Sequence, residues 1–167
     1  MNKFLHLLAA LVMAASASVA SAKTIHIPEN KPVVTLDIPN AWQPEFTDHG
    51  VGAESPDEVV TVFFEVAKSE KQMNKLIDDS FSWLTEEHNL KINANSKVES
   101  EVSVGGTKAN KIEFSAQSKK YGPAKVGFVF APLGERVLVI TYWATASEFT
   151  AKHQAALNQI YDSVRPR

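Results

Sequence analysis

The side chains best equipped for chemistry in this chain are its histidines and the carboxylates beside them. Asp48-His49 and Glu86-Glu87-His88 carry atoms that can ligate a metal or move a proton, and His153 stands alone in "EFTAKHQAALNQIYDSV". A protein metal site needs three or four ligands converging on one ion, and two histidines at i and i+4 on a helix are a common way to begin one. Neither acidic run has that spacing. Asp48 and His49 are the candidates for a weak surface site or a metal-responsive module. Asp78 and Asp79 are neighbours on a helix and diverge around it, so they read as solvated charge and not as an acid/base couple.

His153 follows Phe149 by four residues and precedes Ala156 and Leu157 by three and four, which puts it on an apolar helical stripe with no second histidine at i+4. The reading is a hydrogen-bonded packing residue. A competing reading keeps His49 or His153 as a general base beside a carboxylate, in a site assembled from distant residues. No G-x-S-x-G elbow, S-x-x-K pair, phosphate loop or dinucleotide fingerprint occurs, and Gly50-Val-Gly52 is too short to stand for one. No catalytic residue and no cofactor is therefore assigned. Trp42, Tyr121, Tyr142 and Trp143 are the candidates to line a groove for an apolar ligand, against the plainer reading that such rings, Trp83 among them, anchor a small core.

These residues must be positioned by a chain whose apolar pattern is mostly of period two. Val34, Leu36 and Ile38 fall on one strand face, as do Val60, Val62, Phe64 and Val66. Ile112, Phe114 and Ala116 alternate more weakly, followed by Val126, Phe128 and Phe130, and "SVGGTK" supplies a Gly-Gly hairpin turn. "RVLVITYW" is apolar on both faces and belongs near the centre of a sheet covered on both sides. Helical spacing appears over 69–88, opened by a Ser69/Gln72 capping box, and again from near Ser147, with Thr145 and Glu148 spaced as a second box and Pro166 marking the end. Residues 47–57, "TDHGVGAESPD", fit either a strand or a binding loop.

Lys3, the run "FLHLLAALVMAA" and the small-x-small triplet Ala20-Ser21-Ala22 make residues 1–22 a leader cleaved after Ala22. The run is about 12 residues, short of the roughly 20 that span a bilayer, so no membrane span is expected in the mature chain. Cleavage leaves 145 of the 167 residues, the size of one domain over 23–167. The formal net charge is −2, loss of Lys3 makes it more negative, and the charges are interspersed, which argues against nucleic acid as a partner. Zero cysteines exclude a disulfide framework, a thiolate metal site and a cysteine nucleophile.

A strand ending in "IPNAW", a capped helix after "VVTVFFEV", the hairpin around "VSVGGTKANKIEF", the strand "RVLVITYWAT" and a closing helix ending "IYDSVRP" together resemble the PsbP-like superfamily, which includes bacterial envelope families such as the DcrB type. The resemblance implies an α+β fold, a mostly antiparallel β-sheet with two main helices packed on its faces as an α/β/α sandwich. It also implies an accessory or chaperone-like binding role. The expectation is an exported, periplasmic protein that binds an envelope protein or a small apolar ligand without catalysis.

Overall fold

The computed structural model describes residues 21–167. The expected leader lies outside them except for Ser21 and Ala22. Strand β1 (Ala22–Ile27) pairs antiparallel with β2 (Val34–Pro39), whose Val34, Leu36 and Ile38 are buried. Next come β3 (Glu45–Phe46), β4 (Gly50–Glu54) and β5 (Val60–Ala67), where Val60, Val62, Phe64 and Val66 all turn inward. Residues 47–57 are thus a turn, a strand and the start of a second turn.

Helix α1 (Glu70–Ser82) starts where the Gln72 N–H donates to Ser69 Oγ at 3.2 Å. The Gln72 side chain does not return to Ser69; its oxygen accepts the Lys68 N–H at 2.9 Å. Beyond Ser82 the helix widens into a π turn over Trp83–Glu87, with the His88 N–H bonded to the Trp83 carbonyl at 3.2 Å. Such turns are rare and recur beside functional sites.

Strands β6 (Leu90–Ile92) and β7 (Val98–Val104) share one edge of β8 (Thr107–Ser118), and β9 (Gly122–Leu133) and β10 (Arg136–Thr145) follow. Gly105 and Gly106, at φ +57° and +76°, make the expected turn between β7 and β8. The large sheet runs β3-β4-β5-β10-β9-β8-β6 with β7 beside β8, every pair antiparallel. β10 lies between β5 and β9, as its two-sided apolar composition requires.

Helix α2 (Ala151–Asp162) starts later than expected. The chain leaves β10 through a turn in which the Glu148 and Phe149 N–H groups both donate to the Thr145 carbonyl, and this turn does not propagate. The cap is Thr150, whose N–H donates to His153 Nδ1 at 3.0 Å, so an imidazole fills the role that a Glu or Gln usually takes. The helix ends at Asp162, and Pro166 belongs to a last strand, β11 (Arg165–Pro166), that returns to β2.

The architecture is α+β, a mostly antiparallel sheet with two main helices. Each face of the large sheet has its own core. Val62, Phe64, Leu138, Ile140 and Tyr142 pack with β1, β2 and the α2 residues Leu157, Ile160 and Tyr161. On the reverse face Val126, Phe128 and Trp143 pack with Leu84 and Phe81, and Val139 packs with Leu76. α1 therefore covers one face, while α2 shares the other with the small sheet of β1, β2 and β11.

Candidate functional site

The outer edge of the large sheet is shaped by glycine. Gly52 sits opposite Phe63, and a Cβ there would lie 2.7 Å from the Phe63 ring, so the ring occupies the space that a side chain would fill. The Phe63 ring then meets Trp83 edge-on with centroids 4.9 Å apart, which ties the strand to the π turn that closes α1. The β3–β4 turn is pinned from both sides: the Gly50 N–H donates to Thr47 Oγ1 at 3.1 Å and the Thr47 N–H to the Gly50 carbonyl at 3.0 Å.

Three hollows meet at this turn, and Thr47 lines all of them. One of about 410 Å³ lies over Gly52, Thr61 and Phe63, and one of about 450 Å³ holds Asp48 and His49 beside the β1–β2 loop. The third, about 170 Å³, opens between α1 and the sheet, with Phe63, Leu76 and Trp83 as apolar lining and Glu65, His49, Asp79, Thr47 and Ser80 as polar lining. Between the first two hollows stands Phe46, 46% exposed, one of the few large apolar side chains left in water among the described residues.

Glu65 is the unusual group here. It projects from β5 toward α1, opposite Gly50 on one side and Val139 on the other. Burial raises its pKa above the usual carboxylate value; His49 offsets part of that rise and Asp79 adds to it, and no hydrogen bond contributes. Asp79 is more exposed and pairs with Lys75 along the helix. Among the described residues no group of three His, Cys, Asp or Glu could hold a metal ion.

The residues singled out from sequence do not converge. His153 is buried, accepts the Thr150 N–H through Nδ1, and through Nε2 donates to Asp57 Oδ2 at 2.9 Å. That geometry fixes the Nε2–H tautomer and uses both ring nitrogens. Asp57 is held down to about 2 by its hydrogen bonds from Ser55 and then His153. Trp42 and Tyr142 are buried in the core beneath the small sheet, whereas Trp143 is buried on the α1 face. Only Tyr121 of the four aromatic candidates reaches solvent, and it meets Trp143 at 5.4 Å, in a row that continues through His88 to Trp83 and Phe63.

Sequence reasoning passed over Glu65, Phe63, Ser80 and Phe46. A signal for the first was present: in "VVTVFFEV" the second face reads Thr61, Phe63, Glu65, an acid on a strand beside apolar helix positions. It also passed over a polar cluster around one carboxylate on the opposite face, where Tyr142 donates to Glu113 Oε1 and Lys111 Nζ lies 3.0 Å from Oε2. Gly127 makes room for this, since a Cβ there would stand 2.2 Å from the Tyr142 ring.

No family model matches the chain, and no curated protein matches it by sequence. Solved structures do match. A crystal structure from Bacteroides thetaiotaomicron superposes with TM-score 0.54 at 11% identity over 81% of this chain, which spans only 45% of that protein's length. Cyanobacterial PsbP (CyanoP) from Synechocystis matches with TM-score 0.53 at 8% identity, covering 91% of this chain and 96% of its own. The fold is PsbP-like. LpqN of Mycobacterium tuberculosis, described as involved in cell envelope biogenesis, gives TM-score 0.48 at 15% identity over 86% of this chain and 89% of its own. The PsbP-like fold accounts for the order of strands and helices, while the edge hairpin and its hollows are read from this chain's own residues.

Proposed function

We propose that this PsbP-like chain is an exported protein of the bacterial envelope, periplasmic where the cell has an outer membrane, that binds a protein partner without catalysis. The observation that carries it is the edge hairpin: three hollows meet at Thr47, and exposed Phe46 stands between two of them. A short edge strand with an exposed ring and flanking pockets is suited to a partner's main chain and side chains. Among the described residues, no helix is long and apolar enough to cross a membrane. Cleavage of the leader after Ala22 is part of the same proposal and leaves residues 23–27 to pair with β2. So are the placement beside the DcrB-type families and the reading of the layers as the superfamily's sandwich.

A photo-crosslinking phenylalanine analogue at position 46, compared with the same probe at Val98 on β7, 58% exposed, tests this in the producing cells. A discrete adduct at 46 and none at 98 is expected. Identical adducts at both positions, or none at 46, would remove the edge from consideration.

A further inference from the structure

The smallest of the three hollows has a chemistry of its own. About 170 Å³ is below the roughly 300–1,000 Å³ of pockets that enclose cofactors and drug-sized ligands, so it admits a group the size of one side chain. Its walls at Phe63, Leu76 and Trp83 suit an apolar stem, and two of the three are aromatic, a lining compatible with a cation. Its polar lining is rich in acceptors: the Glu65 carboxylate, the Asp79 carboxylate and the hydroxyls of Thr47 and Ser80.

The charge balance narrows the occupant. Among the described residues, lysine and arginine are absent both from the cleft lining and from the groups that set the state of Glu65; His49 is the favourable neighbour and Asp79 the unfavourable one, and Asp79, at the exposed side of the cleft, is paired with Lys75. An anion would meet the Glu65 carboxylate with no lysine or arginine in the lining to balance it. A neutral apolar group would seal Glu65 from water with nothing in exchange, which leaves a buried polar group unsatisfied. A quaternary ammonium has no N–H to give. A cation with N–H donors on an apolar stem satisfies the carboxylate and the walls together.

We propose that the Glu65 cleft takes an alkylammonium or alkylguanidinium group, the chemistry shared by a free aliphatic amine and by a lysine or arginine side chain of a bound partner. The second source rests on the edge-binding function proposed above, because the cleft adjoins the same β3–β4 turn. Glu65 is the specificity-determining group. Trp83, at the start of the π turn, closes one wall and reports occupancy.

The test uses the indole N–H signals of Trp42, Trp83 and Trp143 in a nitrogen–proton correlation spectrum of the 23–167 protein, with Trp83 assigned by Trp83→Phe. The probes are n-butylammonium, a short extended peptide with one central lysine flanked by valine and threonine, and the same peptide with norleucine in place of lysine. Either cationic probe should move the Trp83 signal and leave buried Trp42 still, and Glu65→Gln should weaken binding at least tenfold. Glu65→Asp, which keeps the charge, should retain part of the affinity, so the proposal stays testable if the Gln variant folds poorly. A response to butylammonium alone assigns a free amine, and one to the lysine peptide but not its norleucine twin assigns a partner's side chain. A still Trp83 signal with both cations, or binding that survives Glu65→Gln, overturns the proposal. A crosslink at position 46 without cation binding would leave the partner-binding reading standing and sink this one alone.

Discussion

Glu65 on β5 and Glu113 on β8 project from opposite faces of one sheet, and both are drawn away from water. Burial pushes each carboxyl toward its neutral form, and the outcome differs because of what surrounds it. At Glu113, hydrogen bonds from Tyr142 and Lys111 and the nearby Lys125 outweigh burial and hold the pKa below the usual value. The Lys111 and Glu113 side chains are only 11% and 20% exposed, so each neutralises a charge that would otherwise be stranded. At Glu65 no hydrogen bond is made among the described residues, His49 offsets only part of the desolvation, and burial prevails. The contrast separates a carboxylate that completes the fold from one that leaves an opening for something else.

The largest effect that would break this comparison is at the completed site. Glu113→Leu strands Lys111 and the Tyr142 hydroxyl, and a loss of about 3 kcal/mol in urea unfolding is expected. A loss within about 0.5 kcal/mol, the usual range for surface substitutions, would show that the cluster is not structural. Next in size is His153→Ala, which removes the reciprocal cap of α2 and its link to Asp57; about 1 kcal/mol is expected from the cap. Asp57 titrates near 2 in the fold against 3.8 unpaired, so its contribution is present above 3.8 and is lost as pH falls through about 2. The alanine variant should show a weaker acid-induced loss over that window in a melting series.

The smallest effect has the opposite sign. Glu65 has a raised pKa in the fold, so its contribution is full below its unfolded value of 4.5 and disappears as pH rises through the raised one. Glu65→Gln should therefore melt slightly higher than the parent at neutral pH and lose that advantage below 4.5. A lower melting temperature at neutral pH would mean that Glu65 is paired after all, and the two glutamates would then be alike.

Much of the fold was legible because it rests on period and punctuation. The alternation in Val60, Val62, Phe64 and Val66, the two-sided apolar β10 and the Gly-Gly turn each state a local rule that tertiary packing then obeys. The start of α2 was misread because the Thr145/Glu148 spacing satisfies the capping pattern, while the structure uses Thr150 with a histidine at the third position. His153 was legible as a packing residue from its stripe, but its partner Asp57 lies 96 residues away and no local pattern announces it. The cleft was illegible for the same reason. Its polar groups come from a turn, a strand and a helix; Glu65 alone carries a local signal, as an acid on a mostly apolar strand, and nothing local joins it to Thr47, Asp79 and Ser80.

The closing strand β11 has a consequence for how the molecule comes into being. Arg165 and Pro166 lie against Thr35 and Val34, Arg165 bonds Asp37 across 128 positions, and the Arg167 N–H reaches the Val33 carbonyl. β2 thus has an open edge wherever β11 is undocked, and its apolar face depends on α2 for cover. While residues 165–167 are unpaired, the β2 edge at residues 33–35 is open, and on an open strand edge pairing with another chain is the competing outcome. Residues 165–167 act as a latch: a short segment that closes the β2 edge from far along the chain.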